Sequence, residues 1–206
     1  MNRKRKIKVC GMREANNIEE LGALPIDYVG FIFYPKSPRY VAQRPSCTLP
    51  SSIQKVGVFV NATKEEILNK VKDFDLQVVQ LHGNESPEFC AQIGQAGLCT
   101  FKAFGIDEDF DWAAVAPYIG KVDYFLFDTK SKHYGGTGLS FDWEVLKSYP
   151  YHTPYWLSGG LSTDSLVEAC RFEDERLYGF DLNSKFEIEP GIKNIDLLTQ
   201  AITIIK

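Results

Sequence analysis

Eight short apolar runs recur along the chain, and most of the gaps between them are long enough to hold a helix. The runs are Ile7-Lys8-Val9-Cys10-Gly11, Tyr28 to Phe33, Lys55 to Val60, Gln77 to Leu81, Leu98 to Phe104, Val122 to Phe127, Tyr155-Trp156-Leu157 and Tyr178 to Leu182. Short, nearly unbroken apolar runs suit parallel strands buried on both faces. Strand then helix, repeated eight times without a low-complexity linker, is the pattern of an α/β (β/α)8 TIM barrel. At 206 residues, the chain suits a single barrel domain over residues 1–206. A doubly wound open sheet is the alternative, but no glycine fingerprint follows the first strand.

The helices carry their own signals. In Thr63-Lys64-Glu65-Glu66, the Thr63 hydroxyl and the Glu66 carboxylate can each satisfy the other's free backbone N–H. Ile67, Leu68, Val71 and Phe74 then share one face. Ser86-Pro87 places a cap before a proline at the first helical position. Ser162 caps a helix to about Cys170, and Ile195, Leu198, Ile202 and Ile205 stripe the last one. Further helices are expected over Glu14 to Ala23, Phe110 to Tyr118 and, briefly, Trp143 to Lys147. Pro45 and Pro50 leave Val41 to Ser52 room for only an abbreviated or irregular second helix.

Composition excludes several classes. The net charge is −4, so no bulk basic character points to nucleic acid. The one basic cluster, Arg3, Lys4, Arg5, Lys6 and Lys8, reads as a solvated tail entering the first strand. No apolar signal core follows it, and no run approaches the length of a membrane helix. Five cysteines without a Cys-x-x-Cys pair suggest neither a disulfide framework nor a zinc site. We expect a cytoplasmic protein with no metal, no nucleic-acid partner and no membrane partner.

In a barrel, the C-terminal ends of the strands converge on one face. Those ends carry Cys10, His82, Asp128 and Asp181, and the loop after the second strand adds Arg39. Each has a plainer reading: Cys10 as inert packing, Asp128 as a turn cap, Arg39 as a surface ion pair, His82 as a hydrogen-bonded structural residue. Their placement on one face is what favours chemistry. Lys102, inside the fifth strand, is either a cation paired with a carboxylate in the core or a substrate contact. Glycine-rich loops follow: Gly135-Gly136-Thr137-Gly138 after the sixth strand and Ser158-Gly159-Gly160 after the seventh. Asn183-Ser184 follows the eighth. Glycine lets backbone N–H groups turn toward an anion, and barrels often bind phosphate after strands seven and eight.

Read together, these segments resemble the phosphoribosylanthranilate isomerase family. The matching residues are Lys8 to Met12, Val29 to Phe33, Ser37-Pro38-Arg39-Tyr40, Val56 to Asn61, Val79-Gln80-Leu81-His82-Gly83, Gly135 to Gly138 with Phe141-Asp142-Trp143, Ser158 to Leu161 and Gly179 to Ser184. They occur in the family's order over nearly the whole chain. The resemblance implies an Amadori rearrangement of N-(5-phosphoribosyl)anthranilate to the aminodeoxyribulose phosphate, a step of tryptophan biosynthesis. By position it implies Asp128 as general acid and Cys10 as general base. Arg39 would hold the anthranilate carboxylate, Asp181 would face its amino group, and His82 would line the substrate site. Gly159, Gly160, Gly179, Asn183 and Ser184 would hold the phosphate. No cofactor is implied, because an acid, a base and the substrate suffice. The assembly expected is a monomer or a homodimer.

The chain departs from the family's pattern at Lys185, Asn194 and Met12-Arg13, none of which is the acid, the base or Arg39. Three rivals are weaker. A histidine-pathway isomerase running the same rearrangement usually pairs two aspartates at strands one and six, which Cys10 argues against. A non-catalytic sugar-phosphate binder would be expected to have lost the acid or the base. A nucleic-acid module would need a basic, aromatic surface that the composition does not supply.

Overall fold

A computed structural model describes residues 4–129 and 143–206. Eight strands form the barrel: β1 (Lys6–Cys10), β2 (Tyr28–Ile32), β3 (Gln54–Phe59), β4 (Val78–Leu81), β5 (Cys99–Ile106), β6 (Tyr124–Thr129), β7 (Tyr155–Ser158) and β8 (Leu177–Leu182). Each pairs in parallel with the next, and β8 returns to β1, so the sheet closes. Around it lie α1 (Ala15–Gly22), α2 (Lys64–Phe74), α3 (Pro87–Gly94), α4 (Thr163–Arg171) and α5 (Ile195–Ile205).

Side-chain alternation along the strands divides the interior in two. Tyr28, Val56, Val78, Phe101, Ala103, Leu126 and Trp156 fill the barrel, with the Tyr28 and Trp156 rings edge-on at 5.0 Å. Ile7, Val9, Phe125, Phe127, Leu157, Phe180 and Leu182 point the other way, into the layer between sheet and helices. Alternation therefore puts Lys8 and Cys10 of β1 inside, two and four residues after Lys6, and puts Asp128 inside, two after Leu126. The apolar plug occupies the lower barrel and leaves the polar groups at the upper end.

The caps form as their chemistry requires. Thr63 N–H donates to Glu66 at 2.7 Å, and Glu66 N–H donates to Thr63 Oγ1 at 3.2 Å. Ser86 and Ser162 accept from Phe89 and Ser165 N–H groups, and Asn194 accepts from Leu197 N–H.

Three expectations change, and one element was not foreseen. Phe110 to Tyr118 is not one helix but two single 3-10 turns, Trp112–Ala114 and Ala116–Tyr118. Pro117 cannot donate an N–H and crowds the preceding turn, so the helix cannot run through. The abbreviated second helix is absent altogether: residues 33–53 cross from β2 to β3 as turns and extended chain, with Val41 and Ile53 buried as anchors. Of the basic N-terminal cluster, Arg5, Lys6 and Lys8 are tied to the barrel and are no solvated tail. Arg5 donates to the Leu177 and Asp174 carbonyls, Lys6 pairs with Asp27 at 2.7 Å, and Lys8 is wholly buried. Finally, an antiparallel hairpin follows β8: β9 (Glu187–Glu189) and β10 (Ile192–Lys193). It turns at Gly191, whose φ is +94°, a value that favours glycine. Pro190-Gly191 was its readable signal.

Candidate active site

Cys10 ends β1 inside the barrel and is 3% exposed. Its neighbour across the ladder is Gly30, where a Cβ would sit 2.7 Å from the Cys10 sulfur. The glycine thus makes room for the thiol. Lys8, two residues earlier on the same face, is paired through Nζ with Asp181 Oδ2 at 2.7 Å, both side chains at most 4% exposed. β1 and β8 set this contact, since Lys8 and Asp181 are register partners. Burial pushes the Cys10 thiol above its ordinary pKa. The Lys8 ammonium, which also hydrogen-bonds the sulfur, and more distant Lys193 pull against that rise. Burial disfavours the charge on Lys8, but Asp181 and Cys10 outweigh it and hold the ammonium above its usual value.

Asp128 lies near the end of β6 with its side chain 32% exposed, and His82 Nε2 stands 3.5 Å from its Oδ2. Gln80, two residues before His82 on the inner face of β4, places its amide 3.4 Å from His82 Nδ1. Gly159 fixes the other side of Asp128. Its φ is +89°, and a Cβ there would lie 2.7 Å from Asp128 Oδ1 and 2.4 Å from the Thr129 backbone. Thr129 Oγ1 donates to the Gly159 carbonyl at 2.8 Å and to the Ser158 carbonyl at 3.1 Å, which ties the ends of β6 and β7 together. Asp128 is also close enough to Asp181 to oppose its ionisation.

Arg39 arrives from the loop after β2. Its Nε donates to both Glu187 oxygens at 2.8 and 3.0 Å, and its Nη2 reaches Oε2 at 2.5 Å. Behind Glu187 stands Lys193, whose Nζ is 2.7 Å from Oε1. The same Nζ donates to Asn183 Oδ1 at 2.8 Å. Burial alone would raise the Glu187 carboxyl, but Arg39 and Lys193 outweigh it and hold it below the ordinary carboxylate range.

The structure thus brings Cys10, His82, Asp128, Asp181 and Arg39 to one end of the barrel, as the strand-end argument predicts. Gly159 and Gly160 follow β7 with φ of +89° and +62°, and space is open beside Gly160. Asn183 and Ser184 open a 3-10 turn, Ser184–Phe186. Gly179 is placed elsewhere. It sits within β8, where a Cβ would strike the Lys6 carbonyl at 2.3 Å and the Trp156 ring at 2.7 Å. It is a packing glycine at the level of the apolar plug, and the expectation that it faces phosphate is corrected. Gly135 to Gly138, Phe141 and Asp142 lie outside the described residues.

Lys102 takes the first of its two readings. Its Nζ is 3.3 Å from buried Glu85 and donates to the Gly83 carbonyl at 2.8 Å. Glu85 in turn accepts from the Asn61 and Gly83 N–H groups. The pair fixes the turn that follows His82. Sequence reasoning missed three further residues: Lys8, Glu187 and Lys193. Lys8 had a signal, a lysine two places before Cys10 in an apolar strand. Glu187 and Lys193 had none, because their burial depends on a hairpin folding back onto Arg39.

A family model described as N-(5'phosphoribosyl)anthranilate (PRA) isomerase matches residues 7–203. The chain belongs to the phosphoribosylanthranilate isomerase family. A family relative in Parabacteroides distasonis, N-(5'-phosphoribosyl)anthranilate isomerase, is 47% identical over 201 residues, covering 95% of this chain and 91% of its own. The Thermotoga maritima crystal structure of phosphoribosyl anthranilate isomerase is 33% identical with a TM-score of 0.83, covering 98% of each chain. The enzyme from that organism is described as dimeric in a second structure. A further crystal structure of a phosphoribosyl anthranilate isomerase holds reduced 1-(o-carboxyphenylamino)-1-deoxyribulose 5-phosphate; it is 31% identical, with a TM-score of 0.81 and 98% coverage of each chain. Membership makes this chain an isomerase of tryptophan biosynthesis acting on a small molecule. No helix among the described residues is long and apolar enough to cross a membrane.

Proposed function

We propose that Cys10 and Asp128 are the base and the acid of the family's reaction, the conversion of N-(5-phosphoribosyl)anthranilate to 1-(2-carboxyphenylamino)-1-deoxyribulose 5-phosphate. Asp128 donates its proton to the furanose ring oxygen. The C1–O bond breaks as the nitrogen lone pair forms the C1=N iminium. The Cys10 thiolate then takes the proton from C2, and those electrons form the C1=C2 enolamine. Tautomerisation returns a proton to C1 and leaves the ketone at C2. One observation carries this assignment: a buried cysteine and a half-exposed aspartate, on strands β1 and β6, both face the inside of the barrel at the same end.

The remaining groups have matching tasks. Arg39 uses two nitrogens on Glu187 and leaves Nη1 for the anthranilate carboxylate. Asp181 and His82 line the space between base and acid. Gly159, Gly160 and the Asn183-Ser184 turn offer backbone N–H groups to the phosphate, as loops after strands seven and eight often do in barrels. We read residues 1–206 as a single catalytic domain that works in the cytoplasm, as a monomer or a homodimer, without cofactor, nucleic acid or membrane.

The test follows the substrate's anthranilate fluorescence. Phosphoribosylanthranilate is generated in situ and the purified chain added, with Cys10→Ala and Asp128→Asn alongside. The signal should fall rapidly with the native chain and at least ~100-fold more slowly with either variant, the usual scale of a lost acid or base. Near-native turnover by a folded variant would remove the role given to that residue. No turnover by the folded native chain would leave a sugar-phosphate binder as the better reading.

A further inference from the structure

Lys193 stands one shell behind the groups that would touch substrate, and its surroundings are unusual for a lysine. The side chain is 0% exposed. Its backbone is pinned by Asn17 of α1, which accepts from Lys193 N–H at 2.7 Å and donates to the Lys193 carbonyl at 3.0 Å. An ammonium group has three donors. Here one goes to Glu187 Oε1 at 2.7 Å, one to Asn183 Oδ1 at 2.8 Å, and the third lies 3.4 Å from the Asn183 carbonyl. The whole donor capacity of a buried cation is therefore committed to two residues.

Those two residues lead in different directions. Glu187 holds Arg39 through a forked contact that fixes the guanidinium plane. Asn183 opens the Ser184 turn with φ −144° and ψ −104°, outside the regular backbone regions. The two directions meet again at Gly11, where a Cβ would be 2.7 Å from Arg39 Cδ and 2.9 Å from Asn183 Oδ1.

We propose that Lys193 is a positioning residue that sets both anionic ends of the substrate at once. Through Glu187 it aims Arg39 at the carboxylate, and through Asn183 it holds the turn that receives the phosphate. This rests on the substrate assignment given under Proposed function. It differs from a merely structural role, in which Lys193 only neutralises Glu187 and keeps the β9–β10 hairpin in place.

The experiment uses the full chain and two probes, inorganic phosphate and anthranilate, each as a competitive inhibitor of the isomerase reaction. The variants are Lys193→Met, Glu187→Gln and the double variant K193M/E187Q. The double variant removes the two most deeply buried charges of the cluster together, so it carries the test if Lys193→Met alone fails to fold. Circular dichroism reports folding. Glu187→Gln should raise the anthranilate inhibition constant about tenfold and leave the phosphate constant unchanged. The double variant should raise both constants about tenfold, and raise KM more than it lowers kcat. A folded double variant that binds phosphate as tightly as the native chain would overturn the proposal. Failure of the native chain to turn over phosphoribosylanthranilate would instead strike the reading beneath it, a result visible before any variant is compared.

Discussion

Cys10 faces a conflict that only its neighbours resolve. The role proposed for it requires the thiolate form, yet burial drives this thiol the other way, and Lys8 is the main group opposing burial. Removing the ammonium should therefore push the Cys10 pKa higher still. In Lys8→Met, the alkaline-rising limb of kcat/KM should move to higher pH, read from a pH–rate profile on the folded protein. The variant also strands Asp181, and breaking a buried pair by removing one partner costs about 3–5 kcal/mol. Denaturant midpoints should fall accordingly. An unmoved limb would show that Lys8 serves only Asp181. Cys10 and Asp128 could be found in the sequence because each closes an apolar strand, and strand ends meet. What surrounds them could not. The partner of Lys8 lies 173 residues away, and that of Arg39 lies 148 away. Nothing local marks either pair.

At the scale of elements, the strands were legible and two connections were not. The apolar runs located all eight strands to within two residues at either end. The capping box at Thr63 and the Ser86-Pro87 start foretold their helices from side-chain chemistry alone. The stretch from Phe110 misled because Ala, Val and Tyr suggest a helix while Pro117 forbids one. The β9–β10 hairpin stayed hidden because its sequence, with Glu187, Glu189 and Lys193, looks like a solvated loop until Lys193 is buried. The junction of β6 and β7 offers a test at this scale. Gly159 at φ +89° lets the two strand ends close over Thr129, and a methyl group there would meet backbone at 2.4 Å. Gly159→Ala should cost more than about 1 kcal/mol, because alanine is strained at this φ and has no room. It should also lower kcat, because Asp128 Oδ1 lies 2.7 Å from the same point. Paired chemical-denaturation and kinetic measurements would detect both.

For the whole molecule, the cysteines shape the response to pH. Burial pushes Cys90 up to about 11 and Cys99 up to about 12, from an ordinary value of 9.0. Both groups hold their protons more tightly folded than unfolded. Their contribution is fully present below the unfolded value and is lost as pH rises through the folded values. Stability should therefore decline from about pH 9 upward, and Cys90→Ala with Cys99→Ala should flatten that decline in urea titrations run across pH. The closed sheet has a further consequence. A ring of strands has no free edge to fray, so opening must begin by parting one of its eight seams. The β1–β2 seam is held by three register pairs, against six between β5 and β6. The β1–β2 seam includes Cys10 beside Gly30. With β7–β8, also held by three pairs, it is one of the two shortest seams of the ring, and parting it would separate the strand that carries the proposed base; on heating, activity should then be lost before circular dichroism reports loss of the sheet.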